Sequence, residues 1–289
     1  MAELYVMPNN DHRHGTSADD LVVGTIGLCK WERIEPWVLS LERCGYTGKK
    51  AAIAYNAADD VIEQLIARGF HIKPIAHHSR HLNVDRCCFL WQLLQKAKAR
   101  YVIATETREL VFQTNPSLWL EKHLAPFRVI VGSEGVAYKD APGGNCDMAA
   151  FFGPEVRAWM KDKVVYASES IAGEATAVSD LCLNIYLMGY HNIVPFATDQ
   201  AALNILINLI PWREITRLSS MADGWACYAA NVADPMKLKT IRPFLKEPEP
   251  VLGTDGFVYP AGSSTPFCIV GQYKRNPAWQ SAIMSRYSS

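Results

Sequence analysis

Between Leu21 and Ala104 the chain repeats one alternation: a short apolar run, a turn, an amphipathic stretch, then another apolar run. Leu21 to Ile26, Lys50 to Tyr55 (KAAIAY), Phe70 to Ile75 and Tyr101 to Ala104 (YVIA) read as strands. Between them, Glu35 to Cys44 carries Trp37, Val38 and Leu41 at helical spacing. Asp59 and Asp60 can cap a helix through Ala67 that Gly69 ends, and Val84 to Ala99 reads as a third helix. Strands and helices alternating at this spacing predict an α/β chain with a mostly parallel, Rossmann-like central sheet flanked by helices. In such a sheet ligands lie beyond the carboxyl ends of the strands, so whatever follows Ala104 is placed for chemistry.

Beyond residue 130 the pattern is looser. Arg128 to Ser133 reads as a strand, Gly143 to Asn145 as a loop, and Ala175 to Met188 and Gln200 to Leu209 as helices. Pro243 to Pro250 reads as an extended surface segment and Phe267 to Val270 as a short late strand. No repeat and no Pro/Gly/Ser linker divides the chain, so one domain is expected behind a loose polar tail over residues 1–18.

Charge and cysteine content exclude several classes. Lysine plus arginine and aspartate plus glutamate each number 29, so no net field draws in nucleic acid or an anionic membrane. The first residues do not read as a signal peptide, and the longest apolar stretches are about half the ~20 residues of a membrane span. A soluble, cytoplasmic protein is expected. The eight cysteines lack any CxxC pair, which fits buried reduced thiols rather than a zinc site. GxGxxG, GxxxxGK[ST] and GxSxG are all missing, which weighs against Rossmann oxidoreductases, P-loop NTPases and α/β-hydrolases.

Three segments can carry chemistry. Glu106, Arg108 and Glu109 follow the YVIA strand directly, and two carboxylates with an arginine there suit a diphosphate, with or without a divalent cation. The plainer alternative is a solvated charged turn. Asp199 stands where an N-cap would stand, ahead of an apolar helix, and capping and catalysis are compatible there. Near the end, Cys268 to Val270 runs into Gly271 and then Lys274 and Arg275, two groups able to grip phosphate. The cluster His77-His78-Ser79-Arg80-His81 reads as an ordinary surface cluster, because no fourth ligand accompanies it.

In order along the chain, these segments resemble a family of small glycosyltransferases with a nucleotide-diphospho-sugar transferase (GT-A) fold from bacteria, algae and large DNA viruses. The resemblance runs through Thr25-Ile26-Gly27, Trp37 to Leu41, Arg86, the TETRELVFQTNP segment, and Ile171-Ala172-Gly173. It continues through Asp180 to Leu183, Asp199 to Asn204, Asp223-Gly224-Trp225, and Cys268-Ile269-Val270 with Gln272-Tyr273. It implies a nucleotide-sugar half over residues 19–135 and an acceptor half over 136–289. The implied donor is a nucleotide-sugar and the implied acceptor a glycan or glycoprotein.

The departures sit where the family holds its metal. A TDVRDVVFQ-like segment has both aspartates replaced by Glu106 and Glu109. In a VHQYDR-like motif, Gly271 stands for the histidine and Lys274 for the acid, and Ser168-Glu169-Ser170 replaces a small NAG-like segment. A fixed positive charge opposes cation binding, so Mn²⁺ or Mg²⁺ is disfavoured. The resemblance then implies donor contacts from Thr25, Arg86, Glu106, Arg108, Glu109, Lys274 and Arg275, with Asp199 and Glu169 as candidates for proton transfer or acceptor contact. The competing readings are a catalytically inactive nucleotide-sugar or glycan-binding relative, motivated by the altered motifs, and a different nucleotide-using α/β enzyme such as a methyltransferase.

Overall fold

The computed structural model describes residues 16–75, 82–141, 144–190 and 198–288. Its strands are β1 (Leu21–Ile26), β2 (Lys49–Tyr55), β3 (Phe70–Ile75), β4 (Tyr101–Glu106), β5 (Leu110–Phe112) and β6 (Val129–Ala137). They continue as β7 (Val164–Glu174), β8 (Thr216–Ser219), β9 (Ala226–Tyr228), β10 (Val251–Leu252), β11 (Val258–Tyr259) and β12 (Ile269–Gly271). The helices are α1 (Glu35–Arg43), α2 (Asp59–Ala67), α3 (Leu82–Leu94), α4 (Pro116–His123), α5 (Gly144–Met160) and α6 (Ala175–Gly189). After them come α7 (Thr198–Leu206), α8 (Trp212–Ile215), α9 (Ala229–Val232), α10 (Pro235–Ile241) and α11 (Pro277–Tyr287).

Seven strands form the central sheet in the order β3-β2-β1-β4-β7-β6-β8. β7 alone runs against the other six, pairing antiparallel with both β4 and β6. The chain is therefore α/β with a mostly parallel central sheet flanked by helices, an arrangement compatible with a Rossmann-like fold. Side-chain alternation explains the two cores. Leu21 and Val23 of β1 point into one apolar cluster with α3, α6 and α7, while Val22 and Ile26 point into the other with α1 and α2. On α1 the stripe of Trp37, Val38 and Leu41 is wholly or almost wholly buried, and each such side chain contributes roughly 1.5–3 kcal/mol of burial. Trp37 also reaches under the sheet's carboxyl edge, where its indole N–H donates to Thr105 Oγ1 at 3.0 Å. A Cβ on Gly24 would come within 2.7 Å of this indole, so the close approach of α1 to β1 requires glycine.

A second, three-stranded sheet, β5-β12-β9, stacks the late segment onto the loop after β4. It positions the site.

The sequence reading is corrected at several element ends. α3 stops at Leu94 rather than Ala99, because the chain turns to bring Arg100 onto Asp20 at 2.9 and 3.0 Å. Asp59 and Asp60 lie inside α2, whose N-cap position is Ala58. Gly144 and Asn145 open α5 instead of lying in a loop, and Gly143 falls outside the described residues. β6 runs on to Ala137 through two register shifts, α7 ends at Leu206, and Pro243 begins inside a 3-10 turn, Arg242–Phe244. The His77–His81 cluster and most of the 1–18 tail lie outside the described residues. Among the described residues no helix is long and apolar enough to cross a membrane.

Candidate functional site

Antiparallel pairing of β5 with β12 sets Leu110 opposite Gly271, so the residue before β5 meets the residue after β12. Those residues are Glu109 and Gln272, and the Gln272 N–H donates to the Glu109 carbonyl at 2.6 Å. Both adopt left-handed backbone, with φ of 60° and 57°. For residues with a Cβ that conformation costs on the order of 1 kcal/mol or more each and persists only where surroundings impose it. The loop is also pinned to the first strand, because the Thr107 hydroxyl donates to the Thr25 carbonyl at 2.8 Å. Two segments distant in sequence thus become one wall of a cleft of about 600 Å³ at the carboxyl ends of β1 and β4.

Four basic side chains share the cleft with Arg86. Arg33, Arg108, Lys274 and Arg275 line it, and among the described residues none of the four makes an ion pair. Lys274 and Arg275 are held by their neighbours. Tyr273 is buried to 1% exposure against α11, and Asn276 caps that helix by accepting from the N–H groups of Ala278 and Trp279.

The centre is built on Arg86 of α3. Its guanidinium donates to Glu106 of β4, to Asp199 of α7 at 2.6 Å, and to the Ser168 carbonyl of β7 at 2.8 Å. Burial works against the charge on Arg86, and the Glu106 and Asp199 carboxylates outweigh that penalty and keep it charged. Each carboxylate spends one oxygen on Arg86. The other, Glu106 Oε2 and Asp199 Oδ1, has no protein partner among the described residues.

Next to the turn that carries Lys274, Glu169 of β7 accepts from Gln272 Nε2 at 2.6 Å, and Gln272 Oε1 accepts from the Ala230 N–H at 3.0 Å. Burial pushes the Glu169 carboxyl up to about 8, with Glu134 and Glu106 adding to the rise and Gln272 and Arg86 opposing it. Behind this wall Glu134 accepts from Gln200 Nε2 and from Asn231 Nδ2, both at 2.8 Å. Burial raises the Glu134 carboxyl too. That bond commits the Gln200 amide nitrogen to Glu134, and Gln200 also lines the cleft.

The cleft brings together Arg86, Glu106, Arg108, Glu109, Glu169, Asp199, Lys274 and Arg275 from five separate stretches of chain. Thr25 is not among them. It lines a small adjoining cavity of about 20 Å³ with Arg86, Thr105 and Ser168. Asp199 lies within the first turn of α7 rather than ahead of it, so its carboxylate binds Arg86 in place of an N-cap role. Sequence reasoning gave no role to Arg33, Gln200 or Gln272. The DQ and QY pairs flagged the two glutamines, whereas nothing local flags Arg33.

The side chains do not fit the divalent cation that the resemblance implies. Glu106 is engaged by Arg86, Gly271 offers no ligand atom, and Lys274 adds positive charge. Among the described residues no three His, Cys, Asp or Glu side chains group as cation ligands. In a comparison with known proteins, no family model matches the chain and no curated protein matches it.

Proposed function

We propose that this chain is a GT-A-like glycosyltransferase that moves a sugar from a nucleotide-diphospho-sugar to a hydroxyl acceptor without a bound metal. The observation that carries the reading is the mixed lining of the cleft: Arg33, Arg108, Lys274 and Arg275, which make no ion pair among the described residues, share it with the carboxylates of Glu106, Glu109, Glu169 and Asp199. A diphosphate suits the cations, because guanidinium and ammonium groups bind phosphate oxygens and stabilise the charge that grows on the leaving group. Hydroxyl-rich ligands suit the carboxylates, because carboxylate oxygens accept from hydroxyl donors. Arg86, Glu106 and Asp199 together carry one net negative charge. That sign stabilises the positive charge developing on a sugar ring as its bond to phosphate breaks. Asp199, with Oδ1 left over, is the group we assign to the acceptor hydroxyl's proton.

The test is a thermal-shift screen against nucleotide-sugars, followed by transfer or hydrolysis assays of the stabilising donor in excess EDTA. A ligand that binds the folded state raises its stability by mass action. Turnover should survive EDTA. Lys274→Ala should weaken donor binding by about tenfold or more, the worth of one charge-assisted contact. Loss of activity on chelation with rescue by Mn²⁺ would refute metal independence, and binding without turnover would favour a binding-only role.

A further inference from the structure

Gln272 favours one of the two oxygens of Glu169 as the place for a proton. Its amide oxygen is claimed by the Ala230 N–H at 3.0 Å, so its NH₂ is the end that faces Glu169. A flipped amide would set NH₂ against N–H, donor against donor. The NH₂ donates to Glu169 Oε1 at 2.6 Å, which favours Oε1 as the carbonyl oxygen, the better acceptor, and Oε2 as the oxygen that carries hydrogen. Oε2 has no protein partner among the described residues and lies over Gly271. A Cβ at residue 271 would stand 3.1 Å from Oε2 and 2.8 Å from the Tyr228 ring, so glycine is what leaves this carboxyl its place. One residue further, the chain enters the turn that carries Lys274 and Arg275 into the same cleft.

We propose that Glu169 meets the bound nucleotide as a neutral carboxylic acid, its Oε2–H donating a hydrogen bond to a phosphate oxygen beside Lys274 and Arg275. This rests on the nucleotide reading above and departs from using Glu169 as a base.

The surrounding charges are consistent with it. Burial, Glu106 from β4 and Glu134 from β6 favour the neutral form, and Arg86 from α3 opposes it. Tyr228 from β9 is held in its neutral form by burial, with its hydroxyl bonded to Ser170 at 2.6 Å. Asp199, Glu109, Lys274 and Arg275 face the same space from their own elements. With the carboxyl held up to about 8, the acid form is present at pH 7 and lost by pH 9.

Two measurements test this. In the free protein, an infrared difference between wild type and Glu169→Gln should show a protonated-carboxyl C=O band at pH 7 that disappears by about pH 9.5. Uridine and guanosine diphosphate serve as calorimetric probes. Wild-type affinity for whichever binds should fall about tenfold or more from pH 7 to 9, as a donor becomes a repelling charge. Glu169→Ala should bind about tenfold more weakly at pH 7. Glu169→Gln, whose NH₂ donates as the acid's hydroxyl did, should restore binding and show a flatter slope than wild type. No band at pH 7, equal slopes in wild type and Glu169→Gln, or failure of Glu169→Gln to rescue Glu169→Ala overturns the proposal and leaves the nucleotide reading standing. A band in a protein that binds neither nucleotide overturns the nucleotide reading, and the phosphate contact with it.

Discussion

Two buried arginines, each with two carboxylate partners, sit at opposite ends of the central sheet. Arg100 and Asp20 lie where β4 and β1 begin, and Arg86 lies where they end. Asp20 is fully buried and both its oxygens are consumed. Oδ1 accepts from Arg100 Nε at 2.9 Å and from the Tyr101 N–H at 3.1 Å, while Oδ2 accepts from Arg100 Nη2 at 3.0 Å. Its backbone oxygen also accepts from Lys49 N–H at 2.8 Å, so one aspartate ties the starts of β1, β2 and β4. Arg86 instead fans out to three elements, and its two carboxylates each keep an oxygen for something else. The same kind of ion pair is a strut when its buried carboxylate spends both oxygens, as Asp20 does, and a site when carboxylates lining a cleft keep one.

The sharpest way to break the comparison is to remove Arg100. Arg100→Met strands a buried Asp20 carboxylate and should cost about 3–5 kcal/mol in chemical denaturation, with little change in KM for the folded fraction. Arg86→Gln should reverse the pattern. Its stranded carboxylates line an open cleft and can take up water, so the stability loss should be smaller than that of Arg100→Met. Turnover should fall on the order of 10²-fold, as expected when a preorganised charge at the reacting centre is removed. Equal stability losses in the two variants would end the distinction. A smaller effect sharpens it from the cleft side. Gly271→Ala pushes a Cβ against Tyr228 and Glu169 and should cost about 1–3 kcal/mol, with weakened nucleotide binding. A variant as stable and as tight-binding as wild type would show that the space over residue 271 is not used.

Both arginine centres were only partly visible in the sequence. β1, β2 and β4 declare themselves because they lie inside the sheet and read mostly as apolar runs, whereas the edge strand β3 carries His71, Lys73 and Pro74 among its apolar residues. β7 does not, since Ser168-Glu169-Ser170 interrupts its pattern where the strand passes under the cleft. β5 was hidden inside the charged segment because its three residues gain a strand's environment only from β12, far along the chain. Helix α11 left a signal that went unread: Asn276-Pro277 as a start, then Trp279, Ile283 and Tyr287 at intervals of four. At the site, residue types and order pointed to the cleft, because Glu106 and Lys274 each adjoin a strand end. The pairing of Arg86 with Asp199 was not legible, since no local pattern links α3 to α7. The orientation of the Gln272 amide depends on a backbone N–H of α9 and could be found only in three dimensions.

The bond between Glu109 and Gln272 has a consequence for biosynthesis. A chain emerging from the ribosome can lay down β1 to β4 early, yet the edge that β12 offers to β5 does not exist until β12 itself has been made. Until then Leu110–Phe112 has no partner on that side and Glu109 has no reason to hold its left-handed backbone. The nascent chain therefore carries the first half of the cleft wall well before the second, and the wall is complete only once β12 pairs.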